Sequence, residues 1–148
     1  MHNIKKYTHK EFNLDLDILV SKLKDHTEKV LGFDCVIGVA RGGLVPAVYI
    51  SHALGLPLRI VEYSSRDGMV SDASSLEWLK TVSSGIIVDD LADSGHTLNF
   101  LQSINPDLLT AVLVQKEMSD HTADFYGSRT TSDDWLEFPW EAKDRYSA

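Results

Sequence analysis

One cysteine in 148 residues excludes an internal disulfide, and no Cys/His cluster with zinc spacing accompanies it. Cys35 lies in the apolar run Cys35-Val36-Ile37, where a free thiol behaves as a small buried hydrophobe. Long apolar runs are missing too. None could span a bilayer, and no apolar signal core follows Met1–Lys6, so a cytoplasmic protein without membrane contact is expected. Basic charge is scarce: 14 Lys and Arg stand against 22 Asp and Glu, a formal charge of -8. A chain built mainly to hold nucleic acid needs the opposite balance. An anionic small molecule stays compatible with this charge, provided that backbone donors, a metal ion and a few basic side chains act locally. Neither a nucleotide-binding P-loop nor a dinucleotide fingerprint occurs, and there is no internal repeat.

What is present fits one domain over residues 1–148, with 43% hydrophobic residues to build one core. Thr8-His9-Lys10-Glu11 has the form of a capping box, and Phe12, Leu16, Leu19, Val20 and Leu23 recur at helical spacing. They predict a helix ending near Gly32. Val36-Ile37-Gly38-Val39 is a short apolar strand of the kind buried on both faces, broken by Arg41-Gly42-Gly43. A helix over Val45–Leu54, closed by Gly55, and a strand over Leu58–Tyr63 follow. Residues 64–75, rich in Ser, Asp and Gly, read as a long mobile loop, with a short turn or strand at Leu76–Leu79. Gly85–Val88 is the next buried strand, His96–Ile104 the next helix and Leu109–Val114 another strand. After Lys116 only extended pieces remain, around Phe125-Tyr126 and Trp135–Trp140. The alternation implies an α/β fold with a parallel sheet, whose ligands bind beyond the carboxyl ends of its strands.

Two loops of unusual chemistry fall at those ends. Gly85-Ile86-Ile87-Val88-Asp89-Asp90 drives an apolar strand into adjacent carboxylates, which repel one another and resist burial. They suit the vicinal hydroxyls of a ribose together with a divalent cation. The rivals are a phosphoacceptor pair, which would sit on an earlier strand, and a merely solvated strand end. Asp93-Ser94-Gly95-His96-Thr97 then enters a helix whose first amides carry partial positive charge, and these with the hydroxyls of Ser94 and Thr97 suit a phosphate. Capping by Asp93 or Ser94 is the bland alternative. Ala40-Arg41-Gly42-Gly43 adds a cation and exposed amides at the other strand end. Together the loops describe a ligand with phosphates at both ends and hydroxyls between them.

That description fits phosphoribosyl pyrophosphate, and Ile86–Thr97 resembles the signature of the type I phosphoribosyltransferases, while Ala40–Pro46 resembles their pyrophosphate loop. Lys116 and Asp134–Glu141 resemble the purine-binding part of the xanthine-guanine branch, and the likeness runs from about Tyr7 to Glu141. The resemblance implies the type I phosphoribosyltransferase fold, with a mobile loop and a small C-terminal hood over the base. It implies a magnesium-dependent enzyme joining a 6-oxo purine (guanine, xanthine or hypoxanthine) to the sugar and releasing pyrophosphate, working as a dimer or tetramer. A regulatory protein of the same fold, binding phosphoribosyl pyrophosphate or a nucleotide without turnover, is the rival.

By that resemblance Asp89 and Asp90 hold the ribose hydroxyls, with Asp90 the magnesium ligand. Asp93, Ser94, Gly95, His96 and Thr97 surround the 5'-phosphate, and Arg41, Gly42 and Gly43 face pyrophosphate, with a cis Ala40–Arg41 peptide in the ligand-binding form. Asp93 is the general base beside N7, Lys116 donates to the 6-oxo group, Trp135 stacks on the ring, and Leu136 and Glu137 offer backbone contacts to its 2-position edge. Arg66, the only Arg of the 64–75 segment, matches no recognisable frame for gripping pyrophosphate, and the tail after Glu141 departs from the family's ending.

Overall fold

Thr8 begins the first long element as the capping box predicts. In the computed structural model, which describes residues 3–64, 69–70 and 74–143, the Thr8 hydroxyl accepts from Glu11 N at 3.1 Å. The Glu11 carboxylate in return accepts from Thr8 N at 3.3 Å, so two amides at the helix start are satisfied reciprocally. Helix α1 spans His9–Lys29 and buries Phe12, Leu16, Leu19 and Leu23 on one stripe. It stops short of the expected Gly32, because Val30 and Leu31 are solvent-exposed and have no core to continue into. Before it, β1 covers Ile4–Lys6.

The next elements are β2 (Cys35–Ala40), α2 (Leu44–Leu54), β3 (Leu58–Ser64), β4 (Met69–Val70) and α3 (Ser74–Leu79). Then come β5 (Gly85–Ala92), α4 (His96–Ile104), β6 (Leu109–Lys116), β7 (Phe125–Thr130) and β8 (Trp135–Glu137). The main sheet has the order β4-β3-β2-β5-β6-β7. Only the β3–β4 pairing is antiparallel. Successive strand residues serve opposite faces. Val36, Ile86, Val88, Ala111 and Leu113 pack under α1 and α2, while Ile37, Val39, Ile87 and Val112 pack against Leu79 of α3 and Leu98 and Leu101 of α4. Helices on both faces explain why these strands read as unbroken apolar runs. This is the mainly parallel sheet flanked by helices that the resemblance implies.

Four expectations need correction. The segment 64–75 is not one long loop: Tyr63 and Ser64 pair with Val70 and Met69, while residues 65–68 and 71–73, Arg66 among them, lie outside the described residues. Leu76–Leu79 is helical rather than a turn or strand. The helix sets Leu79 wholly in the core and Trp78 under the Arg59 guanidinium, 4.1 Å from the ring centre. Strand β5 does not end at Val88, since β6 carries the pairing on through Asp89↔Val112 to Ala92↔Gln115. Finally, Pro139–Glu141 leaves the extended path as a 3-10 turn, with proline preset at its start and Glu141 Oε1 accepting from Phe138 N at 3.0 Å.

The hood is not wholly C-terminal. Strand β8 pairs in parallel with β1, Ile4 opposite Trp135 and Lys6 opposite Glu137. Tyr7 N then donates to Glu137 O at 2.8 Å. The Tyr7 ring lies 4.8 Å from that of Phe138, and its hydroxyl donates to the carboxylate of buried Asp15, which also accepts from Ser128 Oγ at 3.1 Å. Among the described residues no helix is long and apolar enough to cross a membrane.

Candidate active site

From β2 the chain returns on one side as β3, and β5 lies on the other, so the strand order reverses between β2 and β5. A crevice opens at the carboxyl ends of strands at such a reversal. Both loops singled out in the sequence arrive there. After a cis Ala40–Arg41 peptide, Gly43 N donates to Val39 O at 2.9 Å and Leu44 N to Arg41 O at 3.0 Å, turning the chain into α2. The Gly43 amide is thus already bonded within the turn. Gly42 is where this turn touches the acidic pair: a Cβ there would lie 2.1 Å from Asp90 Oδ2, so the carboxylate fills the space of a side chain.

Asp89 and Asp90 are half-buried, and Asp89 Oδ1 accepts from Asp90 N at 2.8 Å. Burial, and then the charge of Asp90, push the Asp89 carboxyl well above its ordinary range. Burial pushes Asp90 up to about 6; Asp89 opposes that rise and the Glu141 carboxylate adds to it. The Trp140 indole N–H brings some positive charge near Asp90 without reaching hydrogen-bond geometry, and is buried without a partner. Two adjacent, partly desolvated carboxylates of raised pKa call for a cationic partner, which is what a divalent cation supplies. No cluster of three or more His, Cys, Asp or Glu able to enclose a metal occurs among the described residues. The donors fit magnesium, which takes one or two carboxylates and completes its shell with water and substrate phosphate, rather than an ion caged by protein alone.

Past β5, Gly95 carries the chain into α4 at φ +90°, a conformation that side chains disfavour. It is the N-cap of α4 and no side chain caps the helix there. Asp93 is therefore not a capping residue, whereas Ser94 Oγ accepts a hydrogen bond at 3.3 Å from His96 N, the first amide of the helix. A cavity of about 250 Å3 lies over this turn, lined by Asp89, Asp93, Ser94, Gly95, Thr97 and Trp135 among others. Beside it a second cavity of about 200 Å3 is lined by Asp90, Leu91, Asp93, Lys116, Trp135, Leu136, Phe138 and Glu141. Leu91, Asp93 and Trp135 border both.

In the second cavity Lys116, only 4% exposed, has its Nζ 3.2 Å from Asp93 Oδ1. A buried ammonium needs such a partner. Trp135 is half exposed at 48%, unlike a core tryptophan, and presents its ring to both cavities. His96 and Glu137, grouped with these residues in the sequence, line neither cavity, and the Glu137 carbonyl already accepts from Tyr7 N. Phe138 and Glu141, to which the resemblance assigns no role, wall the second cavity. The support that Tyr7 and β1 give to β8 had no sequence signal, since Ile4-Lys5-Lys6 is too short and mixed for any periodicity.

Residues 7–147 match the family described as phosphoribosyl transferase domain. A xanthine-guanine phosphoribosyltransferase of Nitratidesulfovibrio vulgaris is 32% identical over 115 residues, covering 75% of this chain and 71% of its own. Among solved structures, a purine phosphoribosyltransferase from Pyrococcus horikoshii superposes with a TM-score of 0.73 at 27% identity, over 95% of each chain. A xanthine-guanine-hypoxanthine phosphoribosyltransferase of Helicobacter pylori shares the fold at a TM-score of 0.70 and 19% identity, over 99% of this chain and 97% of its own. With the match spanning almost the whole chain and the two loops meeting at the sheet's reversal, this chain belongs to the phosphoribosyltransferase family and is an enzyme of the glycosyltransferase class.

Proposed function

We propose that the chain is a single-domain, magnesium-dependent purine phosphoribosyltransferase, using guanine, xanthine or hypoxanthine. The observation that carries this reading is the Asp93–Lys116 ion pair beneath Trp135, in a cavity that adjoins the Ser94–Thr97 turn. The relatives named as xanthine-guanine and purine phosphoribosyltransferases support the choice of base. The sugar 5'-phosphate sits over the 93–97 turn, the ribose hydroxyls meet Asp89 and Asp90, and Arg41 with the Gly42 turn faces pyrophosphate. Trp135 stacks on the purine and Leu136 borders its edge. Lys116 offers donors but no acceptor, so it favours a 6-oxo group over the 6-amino group of adenine.

In the reaction N9 forms a bond to C1 of the sugar as the C1–oxygen bond to pyrophosphate breaks, and pyrophosphate leaves with that electron pair. The purine then carries one proton too many, and Asp93, facing N7, accepts it. Asp90 would hold the magnesium ion, which when bound neutralises charge growing on the leaving group. Exposed Val48 and Tyr49 on α2 and Ile60 on β3 offer apolar surface consistent with a dimer or tetramer. The test is an assay of the purified protein with magnesium, phosphoribosyl pyrophosphate and each nucleobase in turn. Nucleoside monophosphate is expected from at least one 6-oxo purine; equal or faster use of adenine or orotate overturns the reading.

A further inference from the structure

Behind the phosphate-facing turn lies a buried polar network that the mechanism above does not use. The segment 117–124 joins β6 to β7. Its Asp120 N donates to Ser94 O at 2.9 Å and its Ser119 N donates to Lys116 O at 3.1 Å. Directly after those two anchors comes His121, 5% exposed. Gly95 packs directly on it: a Cβ on Gly95 would lie 2.5 Å from His121 N and 2.7 Å from His121 Cβ. Gln115 Nε2 donates both to His121 O at 2.8 Å and to Lys116 O at 3.0 Å. His121 lines neither cavity, so whatever it does it does through its neighbours.

Its ring bonds fix one tautomer. Asn99, in the second turn of α4, directs Nδ2 to Asp120 O at 3.2 Å, and a carbonyl can only accept, so Asn99 Oδ1 is the atom facing His121 Nδ1 at 2.8 Å. Nδ1 therefore carries the hydrogen. Nε2 of the neutral ring then accepts from the Thr110 hydroxyl, 2.8 Å away. One arm of the ring reaches the helix that begins at the phosphate-facing turn, and the other reaches the amino end of β6, far along the strand from Lys116.

We propose that His121 is a positioning residue for the transfer reaction: its Nδ1 bond to Asn99, with its packing on Gly95, holds the 93–97 turn at a fixed spacing from Lys116. The inference rests on the proposed function, because the placement of that turn matters only if the turn receives the sugar phosphate. The Nε2 bond to Thr110 stabilises the strand and leaves the spacing unaffected.

The two arms can be separated. In His121→Asn the amide nitrogen takes the place of Nδ1, keeping the bond to Asn99 and losing that to Thr110; His121→Gln reaches the Nε2 position and does the reverse. Both shrink a buried ring, so both should lower the melting temperature. Calorimetric binding of phosphoribosyl pyrophosphate with magnesium should differ: affinity stays within about threefold in His121→Asn and falls about tenfold in His121→Gln, as expected for losing one aligned hydrogen bond. Asn99→Ala, at an exposed helix position that Ala tolerates, removes the far end of the same arm and should weaken binding about tenfold, and it remains informative if either histidine variant fails to fold. Equal affinity in the Asn and Gln variants, or unchanged affinity in Asn99→Ala, overturns the inference alone. An unmodified protein that binds no phosphoribosyl pyrophosphate overturns both this inference and the function on which it rests.

Discussion

The turn at Asp93–Thr97 and the strand at Trp135–Glu137 border the same pair of cavities, yet they are supported in opposite ways. The turn grows out of β5, a central strand paired on both sides, and is backed by α4 and the 117–124 segment. The strand belongs to a two-stranded sheet of three residues on each side, held by Tyr7 and a buried carboxylate. Small sheets of that size have little stability of their own. In the proposed function, the phosphate side of the site is thus rigid by construction, while the base side depends on a few named contacts. Substrate affinities should report the difference, because damage to one side should reach one substrate.

The sharpest break of that comparison is Asp93→Asn, because Asp93 borders both sides. Asn cannot accept the purine proton, so turnover should fall about 10²-fold while sugar-pyrophosphate affinity stays close to the original; the melting temperature should fall, because buried Lys116 loses its carboxylate partner. Since Asp93 does not cap α4, unimpaired turnover would remove it from the mechanism. Lys116→Ala comes next: losing a charged donor should cost about 1.5–3 kcal/mol of preference for 6-oxo purines over adenine, read as the ratio of kcat/KM values.

On the phosphate side alone, Gly42→Ala forces a methyl group against the Asp90 carboxylate and should raise the KM for phosphoribosyl pyrophosphate about tenfold, with purine KM little changed. On the base side alone, Tyr7→Phe keeps the ring on Phe138 but leaves buried Asp15 short of a donor. It should cost about 1–3 kcal/mol of stability and raise purine KM, leaving the sugar KM unchanged. A rise in both constants for either variant would show that the two sides are not separable.

The remaining expected effect, on stability against pH, touches no substrate. The Asp90 carboxyl is raised in the folded protein to about 6, above the about 3.9 of an unfolded chain, so between those values the folded state binds more protons. Stability then falls as pH rises from about 4 to 6, and the penalty is complete above 6. Asp90→Asn, free of it, should be about 1–3 kcal/mol more stable than the original at pH 7 and should lose that advantage towards pH 4, in urea titrations without magnesium. A constant difference across that range would mean that Asp90 is not the group responsible.

How far each side could be read from the sequence follows from how each is built. Local chemistry announced the phosphate side: the apolar run into Asp89-Asp90, the Asp93–Thr97 turn and Arg41-Gly42-Gly43 all show their character within a few residues. Lys116 and Trp135 needed the family resemblance, since a lone lysine at a strand end or a lone tryptophan carries no such character. The contribution of β1 was invisible, because three residues of mixed polarity acquire meaning only from β8, far away in the chain. Leu76–Leu79 was misread for a related reason: four residues are too few to reveal a helical period.

The pairing of Ile4–Lys6 with Trp135–Glu137 also bears on when the site comes into being. It closes a loop of nearly the whole chain, and such distant contacts form late because their closure entropy is met only after local structure exists. The main sheet that carries both anion-suited loops needs no such closure, so those loops can be in place before the β1–β8 pair forms. Once folded, the same small sheet is the place where amide hydrogens should exchange soonest, making the strand that carries Trp135 the first part of the site lost in any partial opening.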